Sequence, residues 1–336
     1  MAPNLDVRGL TVELPTPAGW IRPVNDVSFA LAAGETLGIV GESGSGKTML
    51  ALALMGLEPK GARLHGEAWL RARAAGANGN RAAAAPGDNL LTAERAKMWS
   101  LRGGEIAMIF QEPMTALNPV MRIGAQIEEA IRAHAPSLPS AEIRRRALDS
   151  LERAAIPEPA GRARQYPHEL SGGLRQRAMI ALALAAGPRV LIADEPTTAL
   201  DVTVQKQIIG LLAALGRELQ LSMLFITHDF GVVAQIADRI AVMYAGRVVE
   251  EGPAAEVLRH PRHPYTQALL RAAPRLTREK STAIPGAVPS LAALPSGCAF
   301  APRCARHVAA CDAAVPELLH AADAPENHRA RCILVR

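Results

Sequence analysis

The sequence has few aromatic residues and lacks long apolar runs. Aromatic residues make up 3% of the 336 positions, whereas hydrophobic residues make up 49%. No stretch approaches the roughly 18 consecutive apolar residues that a membrane-crossing helix needs. The first residues, MAPNLDVRGL, carry charges where a secretory signal peptide needs an apolar core. We therefore expect an Ala/Leu/Val-rich cytosolic protein in which any membrane role is exercised through partners.

Cysteine is scarce and confined to the C-terminal part of the chain. The four cysteines are Cys298, Cys304, Cys311 and Cys332. Disulfide bonds rarely persist in the cytosol, so the thiols suit a tetrahedral Zn²⁺, an iron–sulfur cluster or no ligand at all. The short C-x2–4-C spacing typical of structural zinc sites is absent. Three nearby histidines are predicted to be solvated rather than ligands: His307, His320 and His328.

Excess positive charge is also confined to the C-terminal part. The formal net charge is +5, and from residue 253 onward 11 Lys and Arg face 6 Asp and Glu. The rest of the chain is therefore neutral overall. A basic tail of this kind contacts nucleic acid, contacts an anionic membrane surface or is simply solvated.

One glycine-rich stretch matches a phosphate-binding motif. GESGSGKT at 41–48 fits G-x-x-x-x-G-K-[ST] and lies between a predicted strand and a predicted helix, the context that this motif requires. Glycines let the backbone wrap around phosphates, the lysine reaches the β- and γ-phosphates, and the threonine hydroxyl can hold Mg²⁺. A chance glycine-rich turn is the weaker alternative. The predicted nucleotide-binding residues are Gly41, Glu42, Ser43, Gly44, Ser45, Gly46, Lys47 and Thr48.

Continuous apolar strands alternate with helical stretches along most of the chain. This alternation favours a mostly parallel sheet covered on both faces, and hence an α/β fold. Beyond the strand before the glycine-rich turn, strands are predicted at 105–113, 189–196, 222–229 and 239–252, the last as a hairpin around Ala245-Gly246. An edge strand is predicted at 5–14, and a flexible low-complexity insertion at 71–88.

The middle and the end of the chain have different patterns. Residues 120–168 are predicted to be mostly helical, with an amphipathic helix at 140–154. After Gly252 the sequence becomes proline-rich and irregular. We therefore predict a nucleotide-binding domain over 1–260, with a helical subdomain at about 112–187, and a small irregular C-terminal extension over 261–336.

Polar side chains directly follow three of the buried strands. Asp194 and Glu195 end VLIADEP, Gln111 follows AMIF, and His228 follows LFIT. The carboxyl ends of parallel strands meet at one edge of a sheet. There Asp194 can hold Mg²⁺, Glu195 can accept a proton from an attacking water, and Gln111 and His228 can contact the metal, the water or the γ-phosphate. For each of these side chains taken alone, the simpler interpretation is a polar residue that ends a strand in contact with solvent.

A second phosphate-binding turn, ELSGGLRQR at 169–177, opens a helix far from the first. Together with GESGSGKT, Gln111, ADEP, TALD at 198–201 and His228, it resembles the nucleotide-binding subunit of ABC transporters, over about residues 5–250. The resemblance implies a head-to-tail dimer in which the second turn closes over the ATP held by the partner. The residues implied are Ser171, Gly172, Gly173 and Asp201.

Longer stretches narrow the resemblance to the ATPases of dipeptide and oligopeptide importers, sometimes grouped as a peptide/nickel family. These are IFQEPMTALNPVMRIG at 109–124, IADEPTTALDVT at 192–203 and HPYTQALL at 263–270. Leu174 departs from the glutamine that commonly follows the glycines, but it removes neither the backbone donors nor Ser171. The resemblance implies that roughly 112–124 contacts the permease, and that an aromatic ring near Trp20 or its neighbour Ile21 stacks on adenine. Trp20 reads equally as a surface tryptophan.

The resemblance also implies the cofactors and the partners. The cofactors are ATP and Mg²⁺, and GCAFAPRC resembles a C-terminal extension in which four cysteines can hold a [4Fe–4S] cluster. The partners are two membrane permease subunits, a second ATPase subunit, identical or related, and indirectly a solute-binding protein. The expected place is the cytoplasmic face of the cell membrane.

Two other classes of function share some of these features with the ATPase of a transporter. A soluble ABC-type ATPase acting on nucleic acid or ribosomes would use the basic tail, but such proteins carry a long coiled coil or two ATPase units, and neither is present. A P-loop kinase of small molecules leaves the second turn and TALD unexplained. We therefore expect an ATP hydrolase coupled to solute import, with no nucleic-acid partner.

Overall fold

The computed structural model describes residues 3–71, 87–198, 200–272, 284–320, 324–325 and 327–335. Nearly all of the low-complexity stretch predicted at 71–88 lies outside the described residues. The strands are β1 Leu5–Thr16, β2 Gly19–Leu31, β3 Thr36–Val40, β4 Arg63–Leu70, β5 Asp88–Asn89, β6 Ile106–Ile109, β7 Val190–Asp194, β8 Ser222–Thr227, β9 Arg239–Tyr244, β10 Arg247–Pro253, β11 Leu319–His320 and β12 Arg329–Ala330.

The helices interrupt the strands at the places where the sequence turns from strand-like to helical periodicity. They are α1 Lys47–Leu54, α2 Arg95–Leu101, α3 Pro113–Ala116, α4 Ile123–His134, α5 Ser140–Arg153, α6 Pro159–Arg162, α7 Gly172–Leu184, α8 Val202–Leu219, α9 Phe230–Val233, α10 Ala254–Arg259 and α11 Pro264–Ala272. No helix of the described ranges is both long and apolar enough to cross a membrane.

The chain divides into two compact units. The helix-rich unit is built mainly from Thr92–Leu224, with Leu31–Glu35 and the residues before Leu5; the strand-rich unit contains the remaining residues. This division does not follow the boundary predicted near residue 260, because the C-terminal extension belongs to the same compact unit as the glycine-rich loop. The domain boundaries drawn from the sequence stay a prediction.

The helix-rich unit has an apolar core formed by its longer helices. On α5 the buried residues are Ile143, Ala147 and Leu151, spaced four apart, while the arginines between the first two are on the outside. This is the pattern of an amphipathic helix, and it agrees with the helix predicted at 140–154. The same core contains Ile127 of α4 and Ala178 of α7. The helical content predicted for about 112–187 is therefore present.

The unit also contains the parallel pair β6 and β7. Every residue of both strands is buried, and Ile106 pairs with Val190 while Ile109 pairs with Ala193. Strands that are buried on both faces consist of continuous apolar runs, and for this reason both strands could be predicted from the sequence. The register brings the residues that follow the two strands to the same edge.

The strand-rich unit contains two groups of strands. One is ordered β2-β1-β4-β5, and the other runs β11-β12-β10-β9-β3, with β3 parallel to β9. The prediction of β1 as an edge strand is wrong, since β1 lies between β2 and β4. Its alternating pattern arises from one buried and one less buried face, and both of its backbone edges are paired.

The predicted hairpin around Ala245-Gly246 is confirmed. β9 and β10 pair in antiparallel fashion, with Tyr244 opposite Arg247. The two residues between the strands have φ values of 47° and 84°. Positive φ at both positions is typical of a type I′ turn, whose twist matches that of the flanking strands.

Candidate functional site

The glycine-rich loop connects β3 to α1, as predicted. All of β3 is buried, and α1 begins at Lys47. Two glycines are required by close approach: a Cβ on Gly41 would collide with the carbonyl of Met243, and one on Gly46, where φ is 104°, would collide with the carbonyl of Pro23. The loop can therefore keep its backbone amides turned towards a phosphate at the start of α1.

Lys47 lies inside the curve of this loop and is only 4% exposed. Its Nζ donates hydrogen bonds to the carbonyl oxygens of Gly41 at 2.8 Å and Glu42 at 3.0 Å. A third contact joins it to the Ser45 hydroxyl at 3.4 Å. The ammonium group is thereby held where a β- or γ-phosphate bound by the loop would meet it.

The carboxylates that follow β7 lie in the helix-rich unit. Asp194 is 1% exposed and ends the strand. The next residue, Glu195, has a φ of 45°, a left-handed conformation that costs of order 1–3 kcal/mol in a residue other than glycine. Such strain clusters at functional sites, because the surrounding structure must hold it in place.

The side chain of Glu195 is positioned by two neighbours. Its Oε2 accepts a hydrogen bond from the Thr198 hydroxyl at 2.9 Å and lies 3.4 Å from Nε2 of Gln111. The expectation that Gln111 and Glu195 come together at the ends of neighbouring strands is therefore met. Thr198 was not singled out from the sequence, although its place in the TALD stretch was a signal.

The second turn forms the N-terminus of α7. Ser171 is its N-cap and accepts a hydrogen bond from the amide of Leu174 at 3.4 Å. Ser171 and Gly172 are both exposed. A Cβ on Gly173 would lie 2.9 Å from Cγ1 of Val204, whereas one on Gly172 would meet nothing nearer than 3.7 Å. The turn thus presents its serine and first glycine outward, while the second glycine is required by packing.

Asp201 caps α8. Its Oδ1 accepts hydrogen bonds from the amides of Thr203 at 3.0 Å and Val204 at 2.9 Å. Since Val204 packs against Gly173, this cap fixes the start of α8 beside the second turn. The structure therefore supplies a local role for Asp201 in addition to the role implied by the resemblance.

His228 and Trp20 belong to the strand-rich unit. His228 is exposed and directly follows β8, as predicted. Trp20 lies near the start of β2 and is 45% exposed. The guanidinium carbon of Arg63 lies 4.0 Å from the centroid of the Trp20 ring, a cation–π contact that occupies one face of the indole.

None of the four cysteines forms a disulfide bond. Burial raises the pKa of the Cys298 and Cys332 thiols, and other cysteine thiols nearby add to the shift. Among the residues that the structure describes, however, no group of three or more His, Cys, Asp or Glu side chains is placed to hold a metal ion. The described residues therefore give no support to the predicted iron–sulfur cluster or zinc ion.

Sequence reasoning missed a buried cluster that ties the C-terminal extension to β10. Glu250 is fully buried, and its carboxylate accepts hydrogen bonds from the amides of Arg262 at 2.7 Å and His263 at 2.9 Å and lies 2.8 Å from Nε2 of His328. The prediction that His328 is solvated is wrong, since its exposure is 0%. The reason is that a buried carboxylate needs hydrogen-bond partners, and no local pattern around His328 reveals one so distant in sequence.

Acid is expected to destabilise the protein through His263. Burial lowers its pKa to about 4, while the Glu250 carboxylate and a hydrogen bond to the backbone of Arg331 oppose the shift. The pKa of a histidine in an unfolded chain is about 6.5, so as the pH falls the unfolded chain takes up the proton before the folded chain does. The contribution of neutral His263 to the free energy of unfolding is therefore fully present above about pH 6.5 and decreases as the pH drops towards 4.

The measurement is the melting temperature of the full chain as a function of pH. His263→Gln keeps an acceptor for the Tyr265 amide, which lies 3.1 Å from Nδ1 of His263, but it removes the titration. We expect a shallower fall in melting temperature for this variant than for the wild type in the acid range. If the melting temperatures of the two proteins fall equally with pH, the titration of His263 is not the cause of the acid destabilisation.

Comparison with known proteins identifies the family. The family model described as ABC transporter matches residues 24–198, and the model described as Oligopeptide/dipeptide transporter, C-terminal region, matches residues 249–311. A peptide import ATP-binding protein of Brucella ovis is 50% identical over 345 residues, covering 98% of this chain and 97% of the relative. One from Brucella abortus is 48% identical over 313 residues, covering 92% and 90%.

Solved structures agree with these matches. An ATP-binding cassette, described as dimeric and in a post-hydrolysis state bound to ADP and Pi, aligns with a TM-score of 0.62 and 27% identity, covering 74% of this chain and 98% of the other. A component of an ABC transporter complex from Clostridium perfringens aligns with a TM-score of 0.60 and 27% identity, covering 77% and 92%. The chain therefore belongs to the ABC transporter family of ATP-binding, ATP-hydrolysing subunits, among those that carry the C-terminal region of oligopeptide and dipeptide transporters.

Proposed function

We propose that this chain hydrolyses ATP to drive the uptake of dipeptides, oligopeptides or related solutes through a membrane importer. The observation that carries the proposal is the 50% identity, over 98% of the chain, to a protein named for peptide import. The complete glycine-rich loop and the outward-facing second turn supply the nucleotide chemistry, and the C-terminal match is to transporters of the same class.

In the proposed reaction water attacks the γ-phosphorus of ATP, the bond to the bridging oxygen breaks, and ADP and phosphate leave. Glu195 accepts a proton from the water, aided by its contacts with Thr198 and Gln111. Lys47 and the loop amides bind the phosphates, and His228 donates a hydrogen bond to the γ-phosphate. Each residue binds or moves a proton, and none forms a covalent intermediate.

We propose that a magnesium ion binds together with ATP, because the residues proposed to hold it carry oxygen donors. The buried carboxylate of Asp194, the hydroxyl of Thr48 and the amide oxygen of Gln111 are the kinds of donor that Mg²⁺ prefers. When bound, the ion neutralises charge on the phosphates. No step of the proposed cycle uses the four cysteines.

We further propose that two ATPase subunits pair head to tail. Ser171 and Gly172 are exposed at a helix N-terminus, where amides bind phosphate, and the neighbouring Val202 is 68% exposed although it is apolar. A solved cassette of the same family is itself dimeric. Each chain then supplies half of a composite site, with the second turn serving the partner's ATP.

The proposed permease contact lies at residues 112–124. Val120 is 79% exposed and Met114 is 46% exposed. Large apolar side chains on the surface mark contact regions when they occur together. On this proposal the chain sits at the cytoplasmic face of the cell membrane on two permease subunits, and ATP-driven closure of the dimer changes their conformation.

The experiment is an affinity purification from native membranes in mild detergent, with the bound proteins identified by mass spectrometry. We expect two polytopic permease subunits, with or without a second ATPase, and a co-purifying solute-binding protein would indicate the cargo. Recovery of ribosomal or DNA-binding proteins in place of permeases would overturn the importer function in favour of a soluble ATPase.

The proposed adenine contact of Trp20 leads to a separate prediction. Stacking of a base on an aromatic ring is worth about 1–3 kcal/mol, so Trp20→Ala is expected to raise the KM for ATP roughly tenfold. ATP should also quench the fluorescence of the wild type but not that of this variant.

Trp99→Ala is the matched control, because Trp99 is also exposed and also lies under an arginine, Arg95. This control should keep both the KM and the quenching of the wild type. Equal KM values for Trp20→Ala and Trp99→Ala would exclude a stacking role for Trp20.

A further inference from the structure

An ion pair joins the C-terminal extension to the phosphate-binding loop. Nη1 of Arg303 donates to Oε2 of Glu42 at 2.7 Å, and Nη2 donates to Oε1 at 3.0 Å. Two parallel bonds between a guanidinium and a carboxylate give geometric specificity as well as energy. The Arg303 side chain is 4% exposed and that of Glu42 is 26% exposed, so water reaches the pair only from the side of the carboxylate.

Arg303 is itself held in place by its surroundings. Its Nε donates to the carbonyl of Pro285 at 3.0 Å, and Nη1 also lies 3.3 Å from the Tyr244 hydroxyl. The guanidinium carbon is 6.0 Å from the centre of the Phe300 ring. These contacts hold the guanidinium in place, so that its two terminal nitrogens meet the Glu42 carboxylate in a fixed direction.

The backbone of Glu42 is held as firmly as its side chain. Its amide donates to the hydroxyl of Tyr265 at 2.9 Å, and its carbonyl accepts from Nζ of Lys47 at 3.0 Å. Tyr265 is fully buried, and its ring centre lies 4.5 Å from that of Tyr244. Residues outside the phosphate-binding motif therefore control both the side chain and the peptide of its second residue.

The general phosphate-binding pattern leaves the second position free, so the acidic side chain at Glu42 is not explained by phosphate binding. A carboxylate beside a site for a polyanion repels the ligand unless it is neutralised. Arg303 supplies the neutralising charge, and because its fork is rigid it also fixes the direction of the loop. Both effects act on the ground-state binding of ATP.

We propose that Arg303 is a positioning residue for the nucleotide site: it pairs with Glu42 and thereby sets the charge and conformation of the phosphate-binding loop. This role rests on ATP binding by the loop, and it makes the C-terminal extension part of the nucleotide-binding apparatus. Arg303 acts through Glu42 and does not touch the nucleotide.

The test is a double-mutant cycle in the full chain, with Mg-ATP as the probe. Arg303→Ala leaves the Glu42 carboxylate unpaired, and we expect the KM for ATP to rise about tenfold with kcat changed less than about threefold, the scale of a lost charge-assisted pair. Adding Glu42→Gln removes the unpaired charge. In that background the same Arg303→Ala change should raise KM less than about threefold.

Controls separate this role from general destabilisation. Arg306→Ala removes an exposed arginine of the same extension and should leave KM unchanged. Arg303→Lys keeps the positive charge but cannot donate two parallel hydrogen bonds to the Glu42 carboxylate. We therefore expect a KM between those of the wild type and Arg303→Ala. Melting temperatures are measured for every variant, so a loss of folding is visible independently of KM.

Two results would overturn the inference. One is a KM for Arg303→Ala within twofold of the wild type; the other is a rise in KM that is equally large with Glu42 and with Gln at that position. Failure of the wild type itself to bind Mg-ATP would count instead against the proposed function, so the two failures are distinguishable.

Discussion

Glu195→Gln is expected to abolish ATP turnover while leaving ATP binding intact. Glutamine has nearly the same shape as glutamate and can keep a contact with Thr198, but it cannot accept a proton from the attacking water. Loss of a general base typically costs about 10²–10⁴ in rate. The measurement is phosphate release under saturating Mg-ATP, beside an equilibrium binding assay.

The same variant should accumulate in the closed dimer. If hydrolysis reopens the dimer, a chain that binds ATP but cannot cleave it stays closed, and size-exclusion chromatography in Mg-ATP should show a persistent dimer. Glu218→Gln, at an exposed position near the end of α8, is the matched control and should behave as the wild type. Turnover by Glu195→Gln at the control's rate would remove Glu195 from the proposed chemistry.

Two inactive variants are expected to restore activity when mixed. Lys47→Ala removes a phosphate contact from the loop of its own chain. Gly172→Asp has room for its side chain, since the nearest atom to a Cβ lies at 3.7 Å, and an acidic residue is tolerated at a helix N-terminus. Its charge, however, faces the phosphates that the partner would bring.

Each variant alone should lose at least about 10²-fold in ATPase rate, because each damages both sites of its dimer. In a mixed dimer both defects fall on one site and the other site is intact. An equal mixture should then regain about one quarter of the wild-type number of sites, since random pairing makes about half of the dimers mixed.

The measurement is phosphate release by the mixture against the sum of the separate rates. Gly172→Ala is the control for the added side chain, and we expect it to retain most of the activity. A mixture no more active than the sum of its parts would contradict sites shared between two copies of this chain.

Local patterns carried most of what could be predicted about the nucleotide chemistry. The glycine-rich loop could be recognised because backbone wrapping imposes a fixed spacing of glycines and a lysine on adjacent residues. Gln111 and Glu195 could be brought together because the carboxyl ends of buried parallel strands share an edge. The alternation of apolar and polar residues in β1, by contrast, indicates that one face of the strand is buried. It does not indicate whether the backbone edges of the strand are paired.

The spacing of motifs was enough to predict the nucleotide chemistry, whereas the distant residues that contact the phosphate-binding loop could be found only from the fold. Loop, turn and strand-end motifs depend on neighbouring residues, so they can be read from spacing alone. The pairing of Glu42 with Arg303 joins residues 261 positions apart, and the burial of His328 follows from a carboxylate 78 positions away. Such contacts depend on the path of the chain. A buried charge must be paired or hydrogen-bonded, and its partner can come from any part of the sequence that the fold places beside it.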